Sequence, residues 1–181
     1  GTMIELPKLK MVCWLEVHGK FDTKKLSLGI LYQVSFIVML KDSAQGWEVP
    51  INVRLVLPGG KKQQHKENLN DKLRESWIEI PVGEFVASEK DVGNIEISMY
   101  EYEGGMWKTG LILQGIAIKP KNELTRRESW LMSPAGNSKY FKNSTKAIDN
   151  VTSANNNANC FMVYARSLSI TWAENPDYWK W

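Results

Sequence analysis

Two cysteines and two histidines in 181 residues leave little room for several kinds of chemistry. Cys13 and Cys160 are too few for a disulfide scaffold. They read first as small buried hydrophobes, with a bridge or a crosslinking thiol as the alternative. His18 and His65 do not share metal-ligand spacing with either cysteine, so no metal site is expected. Charge of one sign is also missing: Lys and Arg number 23 against 20 Asp and Glu, a net of +3. That balance does not by itself imply nucleic acid. The longest apolar runs, such as residues 36–40, are far too short to span a bilayer, so no membrane partner is expected. No apolar leader follows Gly1-Thr2-Met3, which points to a cytoplasmic protein. The sequons at Asn143 and Asn150 then read as accidents of an Asn-rich tract. There is no nucleophile elbow, no phosphate loop around Pro58-Gly-Gly-Lys61 and no conspicuous carboxylate pair, so no enzyme is expected.

What the chain has is alternation. Residues 31–41 place Tyr32, Val34, Phe36, Val38 and Leu40 on one face. Ile51, Val53, Leu55 and Leu57 alternate with Asn52 and Arg54, and the same period recurs over residues 77–82, 95–100 and 111–119. Turn signals separate these runs at 42–46, 58–60 and 104–105. Many short strands without a long amphipathic helix predict an all-β, two-sheet antiparallel sandwich of jelly-roll type. The polar residues 61–74 read as an exposed loop or a short helical turn.

The composition changes at Asn122. Over residues 122–159, eight of 38 are Asn and eight are Ser or Thr. Such a tract cannot bury enough apolar surface to offset ordering entropy, and it reads as a flexible linker or a former N-terminal extension. Strand composition returns at 160–172, and one further strand with its turn is expected there. A lone strand is unstable, so residues 160–181 should complete the sheet built by residues 1–121, giving one domain. The chain closes on Trp172-Ala-Glu-Asn-Pro-Asp-Tyr-Trp179-Lys-Trp181, with three tryptophans in its last ten positions. Aromatics around polar turn residues are either core or a platform for a ligand with an apolar face and polar rim.

Several consecutive motifs carry a resemblance. Residues 12–22 (Val-Cys-Trp-Leu-Glu-Val-His-Gly-Lys-Phe-Asp), Gly46-Trp-Glu-Val-Pro50, 77–85 (Trp-Ile-Glu-Ile-Pro-Val-Gly-Glu-Phe) and Trp107-Lys-Thr-Gly110 resemble the phloem protein 2 family of cucurbit phloem lectins and Nictaba-like lectins. Residues 160–181 resemble that family's opening segment, yet here they come last. The resemblance therefore implies a circularly permuted order, with Trp181 packing near Ile4. A domain-swapped dimer is the competing geometry.

The resemblance implies a lectin for N-acetylglucosamine oligomers, chitin fragments and N-glycan cores, working without metal or cofactor in phloem sap. A β-sandwich oligomer, most simply a homodimer, is compatible with this reading, and the sequence does not give its interface. The resemblance implicates Trp172 and Trp179 in sugar binding. Glu101 matches a family glutamate, while a second family glutamate falls on Asn94. Asn175, Tyr178, Trp107 and Lys108 complete the expected carbohydrate site. Trp14, Trp47 and Trp77 are assigned to core or turn packing. Two alternatives stay open. One is RNA binding through Lys61, Lys62, His65 and Lys66, since phloem proteins of this family are associated with RNA transport. The other is a structural phloem protein crosslinked through Cys13 and Cys160.

Overall fold

In the computed structural model, residues 5–121 and 158–181 are described. Ile4 and almost all of the Asn-rich tract lie outside the described residues. Among the described residues, eleven strands build two antiparallel sheets: β1 (Lys8–Leu9), β2 (Leu15–Asp22), β3 (Leu31–Leu40), β4 (Ile51–Val56), β5 (Lys62–Glu67), β6 (Trp77–Val86), β7 (Asn94–Glu101), β8 (Leu111–Pro120), β9 (Phe161–Tyr164), β10 (Ser169–Ile170) and β11 (Trp179–Lys180). One sheet runs β11-β1-β8-β3-β6, with β9 beside the second half of β8. The other runs β10-β2-β7-β4-β5. The two-sheet sandwich expected from the alternation is present.

The core lies between the sheets. Val17, Ile51, Val53, Leu55, Ile95, Ile97 and Met99 from one sheet meet Val34, Phe36, Val38, Ile80, Leu113 and Ile116 from the other, all fully buried. Period-two patterning selects these inward positions and leaves Glu16, His18 and Lys20 of β2 on the outer face. Trp47 is buried too, and its indole N–H donates to the Thr109 carbonyl at 2.9 Å. The Thr109 hydroxyl and N–H in turn bond the backbone of Gln45. The Gly46-Trp-Glu-Val-Pro50 and Trp107-Lys-Thr-Gly110 motifs are thus one contact seen twice in the sequence. Gly46 has φ 90, and a Cβ there would lie 2.0 Å from the Trp107 carbonyl oxygen, so only glycine fits.

Three features differ from the sequence reading. Residues 62–67 form edge strand β5 rather than a loop, because its backbone pairs with β4 while its side chains stay polar on both faces. Asn68 then caps a short 3-10 turn, Leu69–Asp71, that buries Leu69. Residues 160–172 are not one strand. A 3-10 turn at Ala165–Ser167, closed by the Leu168 N–H on the Ala165 carbonyl, redirects the chain, so β9 joins one sheet and β10 the other. Finally, β8 is buried on both faces along most of its length. A second apolar cluster of Ile37, Ala117 and Met162, with Trp77 and Tyr164 against it, occupies the outer side of the larger sheet.

Gln63 links the two sheets at their edges. Its amide donates to the Glu84 carbonyl at 2.6 Å and accepts from the Glu84 N–H at 3.0 Å, imitating a strand along β6. Gly83 leaves room for it, since a Cβ there would stand 2.4 Å from Gln63 Oε1. Unpaired edges are otherwise open to association. Gln63→Ala should cost about 1–2 kcal/mol in urea unfolding and raise the tendency to aggregate in light scattering.

Candidate functional site

The last turn of the chain is built from its own backbone. The Ala173 N–H bonds the Ile170 carbonyl, Asn175 bonds Trp172, and both Tyr178 and Trp179 bond Asn175. The Asn175 side chain accepts from the Asp177 N–H at 2.9 Å, the local bond that suits Asn to turns. Lys10 anchors the turn from outside, through its backbone N–H on Tyr178 and its ammonium on the Pro176 carbonyl. Trp172 sits in this turn at φ 67, where bulky residues are rare, and the residue is 55% exposed. Tyr178 meets it edge-on, with centroids 6.0 Å apart.

A pocket of about 800 Å³ opens beside that ring, lined among others by Trp172, Glu174, Asn175, Ser169, Arg166 and Trp181. The Trp181 indole N–H donates to the Ala173 carbonyl at 3.2 Å, and the Arg166 guanidinium lies 4.1 Å above its ring. Arg166 also pairs with Glu5 at 2.5 Å. Two aromatic surfaces, a carboxylate, an amide, a hydroxyl and a guanidinium therefore converge on one open cavity. That set covers an apolar face while exchanging hydrogen bonds with a polar rim.

Of the expected site residues, Trp172 and Asn175 line this pocket and Tyr178 supports Trp172. Trp179 is elsewhere: it is 2% exposed, inside the core, where no ligand can stack on its ring. Trp181, expected only to pack at a junction, takes the place beside Trp172. Strand β11 is too short for alternation to have told these two apart. Trp107 is 53% exposed but does not line the pocket.

Glu101 and Lys108 are also corrections, since neither reaches solvent. Both are buried and pair at 2.9 Å. Lys108 donates to the carbonyls of Cys13 and Met106, and Glu101 Oε2 accepts the N–H groups of Glu103 and Gly104. Burial alone would push the Glu101 carboxyl up. The Lys108 ammonium and the two backbone donors outweigh it and hold the group below its ordinary value of 4.5. The pair is a strut for the 101–108 turn.

Trp14 departs from the sequence reading in the opposite direction. It is 46% exposed and stacks on Tyr102 at 4.1 Å, and Tyr102 in turn stacks on Tyr100 at 5.7 Å. Its indole N–H donates to Glu16, which also accepts from His18 Nε2 at 2.7 Å. These donors, His18 first, hold Glu16 below the usual carboxylate range. His18 Nδ1 in turn shares a hydrogen bond with the Ser98 hydroxyl at 2.8 Å. The outward alternation of Glu16, His18 and Lys20 was the available signal for this cluster, but only strand register brings Ser98 to it. The basic residues Lys62 and Lys66 lie on β5 of the same sheet. Cys13 and Cys160 are both free thiols, and burial pushes the Cys160 thiol up.

A family model described as Phloem protein 2 matches residues 2–120 and 158–181. Protein PHLOEM PROTEIN 2-LIKE A1 of Arabidopsis thaliana is 49% identical over 120 residues, covering 65% of this chain and 49% of that protein. A lectin of Luffa acutangula is 41% identical over 122 residues, covering 67% of this chain and 57% of that protein. A lectin of Coccinia grandis is 29% identical over 120 residues, 66% of this chain and 76% of that protein. The chain thus spans about half the length of the first of these relatives.

Proposed function

The chain belongs to the phloem protein 2 family, and from that premise we propose that it is a carbohydrate-binding lectin whose site is the Trp172 pocket. The observation that carries this reading is the exposed Trp172, held at the rim of a cavity shared with Trp181, Glu174 and Asn175. A pyranose offers a C–H face for the ring and a circle of hydroxyls for the polar groups. N-acetylglucosamine oligomers are the finer assignment. Their acetamido group adds a methyl for an aromatic surface, a carbonyl for a donor such as Arg166, and an N–H for an acceptor such as Glu174.

Trp172→Ala should weaken binding of chitotriose at least roughly thirtyfold in calorimetry. Its unfolding free energy should stay within about 0.5 kcal/mol of the parent, as for other exposed positions. Retained affinity would sink this site, and preference for a galactoside would sink the N-acetylglucosamine assignment.

We also read the segment order as permuted. Strand β11 pairs antiparallel with β1, Lys180 opposite Lys8, and Arg166 bridges Trp181 to Glu5. A short connection from Trp181 to Glu5 would make β11 and β1 an ordinary hairpin. This supports the expectation that the two segments were once joined in the order 158–181, then 5–121.

A further inference from the structure

The outer face of the smaller sheet carries a row of polar residues whose hydrogen bonds do not close. Register sets Ser169 of β10 opposite His18 of β2, His18 opposite Ser98 of β7, and Ser98 opposite Arg54 of β4. These four residues line a pocket of about 380 Å³. His18 and Ser98 are satisfied by Glu16 and by each other. Arg54 is not. Its guanidinium lies 5.6 Å from the Tyr100 ring centre, it has no acceptor among the described residues, and its Nε is buried without a partner. Arg54 borders the pocket, so a ligand oxygen there would give its guanidinium an acceptor that the described residues do not supply.

The surroundings decide what kind of oxygen. Glu16 and Glu96 both stand close by, Glu16 on His18 and Glu96 3.9 Å from Lys20. Two carboxylates offset the positive charge of Arg54 and Lys20, which disfavours a phosphate or sulfate. They suit a neutral ligand that both donates and accepts, as a saccharide hydroxyl does. The carboxylate–imidazole–hydroxyl relay does not make Ser98 a nucleophile. Strand β7 is paired on both sides around Ser98, so the backbone N–H groups there are committed to the ladders rather than to an oxyanion. The relay instead fixes His18 and Ser98 as a rigid floor.

Ser169 also lines the Trp172 pocket, so the two cavities meet across β10. From β10 to β4 there are three strand spacings, roughly 14 Å at about 4.8 Å each, more than one sugar ring occupies. We propose that this face is a second saccharide subsite, taking a further unit of the same oligosaccharide whose first unit lies on Trp172. The proposal rests on the lectin reading. It makes the ligand an extended neutral chain that crosses Ser169 and offers an oxygen to Arg54.

Calorimetry with chitobiose and chitopentaose, on the parent chain, Arg54→Gln and Trp172→Ala, tests it. The parent should bind the pentamer about tenfold more tightly than the dimer. Arg54→Gln should bind the dimer as the parent does and lose that tenfold gain. Trp172→Ala should lose both ligands. A parent that binds both lengths equally, or an Arg54→Gln variant that keeps the gain, would overturn the second subsite while leaving the lectin reading intact. A parent that binds neither overturns both. Should Arg54→Gln fail to fold, amide shifts of the parent decide: the pentamer, and not the dimer, should move His18, Ser98 and Arg54. Unmoved amides with bound pentamer would overturn the proposal.

Discussion

Glu101→Ala is expected to remove about 3–5 kcal/mol of unfolding free energy at neutral pH, a large part of what holds a domain of this size together. The substitution leaves the Lys108 ammonium, fully buried, facing only the carbonyls of Cys13 and Met106. It also frees the N–H groups of Glu103 and Gly104. Urea unfolding with unchanged slope would measure it. Replacing both partners with Leu and Met should recover only part, since those carbonyls and N–H groups still lose their contacts. The pH dependence follows from the sign of the shift. The folded-state carboxyl lies below 4.5, so its contribution is complete above that value and fades as pH falls below it through the folded-state value. Glu16 and Glu75 are lowered in the same direction, so acid destabilisation is shared. The difference between the parent and Glu101→Gln isolates this pair, and it should shrink as pH drops below 4.5. A difference that does not change with pH would contradict the assignment.

Trp179→Ala is the second large effect, about 3–5 kcal/mol, because truncating a buried tryptophan leaves a cavity as well as losing transfer energy. Trp179 also carries β11 onto Leu9 of β1, so the terminal strand should fray with it. Trp179→Phe should cost clearly less. It keeps an aromatic ring in the core and deletes an indole N–H that has no partner among the described residues. Thermal unfolding of the two variants, read beside chitotriose titrations, separates this residue from Trp172. At Trp179 stability falls and binding follows stability, whereas at Trp172 binding falls alone. An alanine at Trp179 that melts like the parent would show the ring is not core.

That contrast marks where the sequence was readable. Long strands with full alternation, such as β4 and β7, declare their inward faces, because one face must be apolar over several repeats. Strand β5 does not, since Lys62-Gln-Gln-His-Lys-Glu67 holds its place through backbone pairing and Gln63 and needs no apolar side. The two-residue strands have no period to read, so nothing in the sequence told buried Trp179 from Trp181, which packs on the core and also lines the Trp172 pocket. Glu101 and Lys108 look like surface residues by type, and only the 101–108 turn shows that each supplies what makes the other's burial tolerable. Trp14 looks like core by type, but Leu15 takes the inward position and turns it out onto Tyr102. Family motifs pointed to the terminal turn, while which of its side chains are buried and which exposed depended on packing across elements far apart in sequence.

Trp172 holds its φ of 67 with nothing glycine-like about its side chain. The backbone there favours glycine, which has no side chain, whereas the proposed sugar contact uses the largest ring a residue can carry. On that proposal, selection for folding and selection for ligand contact pull this single position in opposite directions. The surrounding turn, closed by Asn175 and pinned by Lys10, is what allows the second to prevail.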